Sequence, residues 1–404
     1  MAHRLSLVAA ASAVIAAASG AVVSAAGADQ ATPPLAVVGQ SGGATYAVAA
    51  AGGRVYAGVG PRMAVVDVPA GEPARLLGLT PMLGDLVRDV AIDGNVAYLA
   101  AEDAGLYTVD VSDPSAPRIL AQVPLGGEVR AVEVAGGRAF VSSWGGGLVV
   151  LDVADPGAPV EIGRYSSDRG VNHAAIRGDR AYVSLLTGGV RVLDIADPTR
   201  PKDVVAFRTA ATADHALPIG EVLVVADGAG LRFVDLSDEA TPVLAKEIET
   251  PGYARSLVMV GDTLYVADGS GGVMAVDVAD PKTPKSRGTT MAPSDVISVA
   301  ADGDRVFAAA WLSGVVELGG ASGAEADRVV FGDRTGYAQD LAIVGDDLAA
   351  AEALSGVRTF RLAGPNMEPL GLAPGAGQDQ TMAAAGDYVY TTDSQLTTHV
   401  FDAS

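Results

Sequence analysis

The sequence predicts an all-β protein, a single β-propeller of four-stranded blades. Three observations carry this reading: a repeat of about 42 residues, hydrophobic alternation of period 2 within each repeat, and Gly-rich or Asp-Pro punctuation about every 8 to 12 residues. The repeat shows in an apolar anchor whose third position is Tyr56, Tyr98, Phe140, Tyr182, Val224, Tyr265, Phe307, Ala349 and Tyr390 in turn. A second anchor follows, an acid closing a β-branched run: Asp67, Asp110, Asp152, Asp194, Asp235 and Asp277, then the degenerate Glu317 and Arg361, then Asp402. Nine units stand in register, so nine blades are favoured, with eight as the alternative.

The chain opens with residues that lie outside the propeller domain of 33–404. His3 and Arg4 precede an uncharged Ala-rich run from Leu5 to Ala28, with small residues at Val23-Ser24-Ala25 and Ala26-Gly27-Ala28. Residues 1–28 therefore read as a secretory signal peptide, cleaved between Ala25 and Gln30. The product is expected to be secreted, periplasmic or on the cell surface, with no membrane insertion after cleavage.

Within a unit, four strands follow one another, for example a at Arg130–Val134, b at Arg138–Ser142, c at Leu148–Val153 and d at Val160–Tyr165. The a–b turn carries Gly-Gly, Gly-Asp or Asp-Gly, the residues a two-residue hairpin needs for positive φ. The c–d turn is spelled Asp155-Pro156-Gly157-Ala158-Pro159 and recurs at Asp113, Asp197 and Asp280. There Asp bonds the turn backbone and Pro fixes φ. At the ends, Pro34 to Gly39 matches the spelling of a d strand, while Phe401-Asp402 ends a c strand. The N-terminal segment is accordingly expected to complete the last blade and remove its open edge.

The segments Gly146–Gly163, Gly188–Val204 and Gly272–Ser286 resemble the LVIVD repeat of exported and surface propeller proteins of bacteria. The resemblance is strong from Gly105 to about Arg287 and weak around Glu317 and Arg361. It implies a propeller fold and export, and no shared reaction.

Composition narrows the function. With 27 Lys+Arg against 48 Asp+Glu, the chain carries −21 and repels nucleic acid and anionic lipid. The absence of cysteine excludes disulfides, thiolate metal sites and a cysteine nucleophile. No catalytic fingerprint appears, Asp-Gly pairs such as Asp227-Gly228 read as turns rather than calcium loops, and no cofactor or metal is called for.

Candidate recognition residues lie where strand a meets the channel mouth. One per unit, these are Tyr46, Arg88, Arg130, Asn172 and Asp214, then Arg255, Ile297, Gln339 and Gln380. The following positions include His173 and His215, 42 residues apart and hence on neighbouring inner strands. Trp144 and Trp311 fall in b–c loops, which lie on the same face as the d–a loops; in a chain poor in aromatics they are contact candidates. Glu102 shares their position. The expected function is a noncatalytic, monomeric scaffold binding a protein or a carbohydrate on this face. The alternative is a hydrolase or lyase using His173, His215 and Asp214, with or without a metal.

Overall fold

The computed structural model describes residues 45–69, 74–186, 189–209, 211–292 and 294–319, and the backbone of the strands between 324 and 402. The expected leader at 1–28 and closing strand at Pro34 to Gly39 lie outside the described residues. Every repeat unit folds as an antiparallel meander, which produces nine sheets. Among the described residues eight have four strands and the last, Asp379–Ala385, Tyr388–Asp393 and Thr398–Asp402, has three. In the third unit the strands are Glu128–Ala135, Arg138–Trp144, Gly147–Asp152 and Val160–Tyr165, close to the boundaries read from the alternation. Among the described residues no helix is long and apolar enough to cross a membrane.

The ring has seven blades, which corrects the expectation of nine or eight. Blades 1 to 7 occupy residues 45–79, 89–123, 128–165, 171–207, 215–254, 256–290 and 298–331. Each interface between neighbours holds its own apolar cluster, and the seventh cluster joins blade 7 to blade 1. In that closing cluster Phe307, Ala309 and Val315 of blade 7 pack with Val55, Ala57 and Val66 of blade 1. Two hydrogen bonds run alongside it: Gly53 N donates to Asp302 Oδ2 at 2.6 Å, and the Arg305 guanidinium donates to the Val68 carbonyl at 2.6 Å. Blade 7 has its own outer strand, Ala324–Phe331, and its face packs on that of blade 1. The eighth and ninth sheets pack against each other through their first strands, Ala338–Val344 and Asp379–Ala385.

The miscount has a physical cause. A repeat in register reports that a sheet forms, whereas ring size is decided by which two end faces fit one another.

The anchors have structural roles. Tyr56, Tyr98, Phe140, Tyr182, Tyr265 and Phe307 are all buried between blades, so the recurring aromatic is the filler of an interface. The acids ending strand c cap the turn that follows: Asp110, Asp152, Asp194, Asp235 and Asp277 each accept from a backbone N–H two residues on. The Asp of the Asp-Pro turn repeats this geometry, with Asp113, Asp155, Asp197 and Asp280 accepting from Ser115, Gly157, Thr199 and Lys282. At the a–b turns Gly52 and Gly53 have φ of 60° and 76°, and Gly136 and Gly137 of 57° and 71°. These left-handed values are what a hairpin whose twist follows the strands demands.

Candidate functional site at the channel mouth

A channel of about 450 Å³ runs down the ring axis and is lined by the first strand of the blades. Its mouth is built by a β-bulge repeated in each blade. In blade 4 the register steps between Val171 and His173, leaving Asn172 as the extra residue. Tyr46 and Arg130 stand at the same irregularity in blades 1 and 3. In blades 2, 5, 6 and 7 the N–H groups of Arg88, Asp214, Arg255 and Ile297 donate to the carbonyl of the residue paired with their successor. Successive side chains on a strand normally point to opposite faces, and the bulge breaks that alternation. This is why consecutive residues such as Asn172 and His173, or Asp214 and His215, both line the channel.

The structure brings seven of the ten expected site residues into this lining: Arg88, Arg130, Asn172, Asp214 and Arg255, with His173 and His215 beneath them. Gln339 does not belong there. It lies on the bulged first strand of the eighth sheet, outside the seven-bladed ring. It shares the sequence phase of the others, but phase alone does not place a residue in a channel when its sheet is outside the ring. Gln380 is misplaced for the same reason.

Each mouth arginine lies on an aromatic ring. The guanidinium of Arg88 is 4.4 Å from the Tyr46 ring, that of Arg130 3.5 Å from the Trp144 indole, and that of Arg255 4.6 Å from the Tyr253 ring. Such contacts orient the planar cation and contribute about 0.5–2 kcal/mol each, more when water is excluded. Arg88 also pairs with Glu102, and Arg130 with Glu128 at 2.5 Å. Burial lowers the Arg130 pKa, an effect that Glu128 opposes and Arg88 adds to. Glu102 adopts a positive φ of 31° in the b–c loop of blade 2, where the sequence placed it. Burial raises its carboxyl despite Arg88.

One hydrogen-bonded wall connects three blades. Trp144 Nε1 donates to Asn172 Oδ1 at 2.7 Å, and Asn172 Nδ2 donates to Asp214 Oδ1 at 3.2 Å. The nearby Tyr253 hydroxyl lowers the pKa of the same carboxyl, which burial nonetheless pushes up to about 6. Tyr253 reaches the mouth because the outer strand of blade 5 is long, Val243–Ala254. That extension carries no alternation signal distinct from the other outer strands, and the sequence reading passed over it.

The tryptophans occupy the b–c side as expected, but neither is an open contact surface. Trp144 is half-buried beneath Arg130, and Trp311, in a 3-10 turn at Trp311–Ser313, is half-buried with an Nε1 that has no partner among the described residues. Replacing Arg130 by Ala is therefore expected to expose one face of the Trp144 indole. Acrylamide quenching of the emission should rise in that variant; unchanged quenching would contradict the stacked geometry.

Deeper in the channel, His173 and His215 stack with ring centroids 3.8 Å apart and planes at 24°. Burial holds His173 down at about 4, and burial plus the neighbouring ring holds His215 well below the usual imidazole value. Both are neutral at pH 7. Stacked rings send their in-plane lone pairs along parallel directions, so the two do not converge on a common ion. Among the described residues no three acidic or imidazole groups gather in a metal-binding arrangement. The titratable feature the sequence reading missed is an acid pair on neighbouring inner strands. Asp89 accepts from Val90 N at 2.9 Å and from Val132 N at 3.0 Å, tying blade 2 to blade 3, and burial raises it to about 6. Glu133 is raised to about 7 by burial and by Asp89. Glu133 falls three residues after Arg130, a position that the phase comparison of mouth residues did not include.

The comparisons with known proteins follow the blade pattern. The LVIVD repeat model matches residues 84–123, 126–167, 169–209, 220–250 and 251–291, the run of blades 2 to 6. The chain belongs to the LVIVD-repeat propeller family. The least typical units of this LVIVD-repeat protein are blades 1 and 7, which meet at the closure, and the two sheets beyond it. No curated protein matches the chain. Among solved structures, PorZ, an essential bacterial surface component of the type-IX secretion system of Porphyromonas gingivalis, is similar with TM-score 0.61 and 16% identity. The alignment covers 90% of this chain and 51% of PorZ, so this chain spans about half the PorZ length, and the likeness is one of fold alone. The computationally designed Ika8 protein matches at TM-score 0.49 and 11% identity, covering 90% of this chain and 97% of that one. BamB from Moraxella catarrhalis matches at TM-score 0.44 and 14% identity, covering 88% and 93%.

Proposed function

We propose that the protein is an exported, noncatalytic, monomeric propeller that acts as a binding scaffold, with recognition at the channel mouth. The observation that carries this reading is the set of three guanidiniums, each laid on an aromatic face, around one opening of a chain with net charge −21. Cations oriented before a ligand arrives lose less freedom on binding. Export is supported by the leader-like run at Leu5 to Ala28, and the family is compatible with an extracellular or surface location. The net charge speaks against nucleic-acid partners.

The enzyme alternative built on His173, His215 and Asp214 loses support from the stacked neutral rings, because a base that titrates near 4 accepts protons poorly at neutral pH. A channel chemistry would more naturally use Glu133 and Asp89, whose carboxyls are raised to about 7 and about 6.

A photo-crosslinking amino acid placed at Tyr46, in the mouth, and in a separate protein at the exposed Val160 of an outer strand, tests the binding face on the exported protein. Adducts from position 46 and none from position 160 are expected. No adduct from the mouth, or the same adducts from both sites, would refute recognition there.

A further inference from the structure

Among the incompletely partnered groups of the channel lining, two stand on adjacent blades and carry opposite charge. Arg255 has no carboxylate within ion-pair distance among the described residues, in contrast to Arg88 and Arg130, and its Nε has no hydrogen-bond acceptor. On the adjacent blade, Asp214 Oδ2 has no donor, although Oδ1 is held by Asn172. Arg255 and Arg130 both act electrostatically on Asp214, which places the two cations and this carboxylate in one neighbourhood. A fork of N–H donors and an orphaned carboxylate oxygen, both fixed from behind, define the complement of their ligand. We propose that the channel mouth binds a carboxylated sugar, a uronate, with the ligand carboxylate on Arg255 and a ring hydroxyl donating to Asp214.

Each feature selects against another class. The guanidinium of Arg255 matches a planar carboxylate through two parallel hydrogen bonds. Asp214 requires a donor on the ligand and repels a second charge, which disfavours phosphate and sulfate dianions. An acidic peptide would satisfy Arg255 and offers Asp214 backbone N–H groups or a neighbouring Ser or Thr, whereas a uronate fixes its hydroxyls on the same rigid ring as the carboxylate. The rings of Tyr46, Trp144 and Tyr253 hold the guanidiniums of Arg88, Arg130 and Arg255 in place from behind. The channel volume of about 450 Å³ falls within the range of small-molecule sites.

This inference rests on the scaffold reading and names the ligand class of the same face. Its test is calorimetric titration of the full chain with D-glucuronate and D-galacturonate, beside D-glucose, acetate and inorganic phosphate. Saturable binding of at least one uronate is expected, with glucose, acetate and phosphate each weaker by about tenfold or more, the scale of one charge-assisted contact. Arg255→Gln and Asp214→Asn should each weaken uronate binding by about tenfold, and Arg255→Lys less, with the melting temperatures retained. If Arg255→Gln does not fold, Arg255→Lys and the wild-type selectivity still decide. Absence of uronate binding, equal binding of glucose or phosphate, or a folded Arg255→Gln protein with wild-type affinity would overturn the proposal. Mouth-specific crosslinks that persist without uronate binding would overturn the ligand class and leave the scaffold reading standing.

Discussion

Replacing Phe307 by Ala is expected to lower the stability of the ring by about 3–5 kcal/mol, the cost of deleting a large buried aromatic and leaving a cavity. Phe307 is 1% exposed and lies in the apolar cluster that joins blade 7 to blade 1. Six interfaces link blades that follow one another in sequence, whereas this one closes a loop of the whole ring. A cavity here weakens the contact that turns an open stack of sheets into a ring. Denaturant unfolding of the wild type and the variant measures the loss. A change below about 0.5 kcal/mol, the range of ordinary surface substitutions, would show that Phe307 does not sit in a closing interface.

The second large effect concerns acid stability. The folded pKa of His173 is about 4 and that of His215 is well below 6.5. Between these values and 6.5 the unfolded chain binds protons that the folded chain does not. Their contribution is therefore present above pH 6.5 and is lost as pH falls toward 4. Asp89, Glu133 and Asp214 act in the opposite sense. Their folded values of about 6, 7 and 6 lie above 3.8, 4.5 and 3.8, so their contribution is present at low pH and is lost as pH rises through 6 to 7. The two sets offset one another in the wild type. Changing both histidines to Phe keeps ring against ring and removes their titration. Relative to the wild type, that variant should gain about 2 kcal/mol between pH 7 and pH 4.5 from the His173 position alone, a figure reduced for the water in the channel. Urea unfolding at the two pH values checks it. Parallel pH dependence in the two proteins would mean that the rings are not held neutral.

Much of the fold was legible because the propeller writes its geometry into short local signals. The a–b glycines, the Asp-Pro turns and the interfacial aromatics each answer to a constraint acting within one unit or between neighbours, and each stands where the spelling placed it. Ring size is a different kind of property. Units 8 and 9 keep the phase of the anchors at Ala349 and Tyr390, yet blade 7 closes on blade 1 through Phe307, Asp302 and Arg305. Those residues resemble their counterparts in other blades, so no local pattern marks them as the closing set.

The site shows the same division. Phase alone brought Arg88, Arg130, Asn172, Asp214 and Arg255 to one opening, and it misplaced Gln339 because its sheet stands outside the ring. The bulge that admits two consecutive residues to the channel wall leaves no distinct mark in the sequence. Nor does the aromatic support of the arginines, since Tyr253 arrives from an outer strand and Trp144 from an inner b strand.

The most direct test of a ring of seven is truncation after Phe331, which removes the eighth and ninth sheets and keeps both faces of the closing interface. A folded β protein that unfolds in one cooperative transition is expected, with a melting temperature within a few degrees of the full chain, because no blade of the ring has lost a neighbour. A truncated chain that is unfolded, or that melts far below the full-length protein as an opened ring would, contradicts closure between blades 7 and 1.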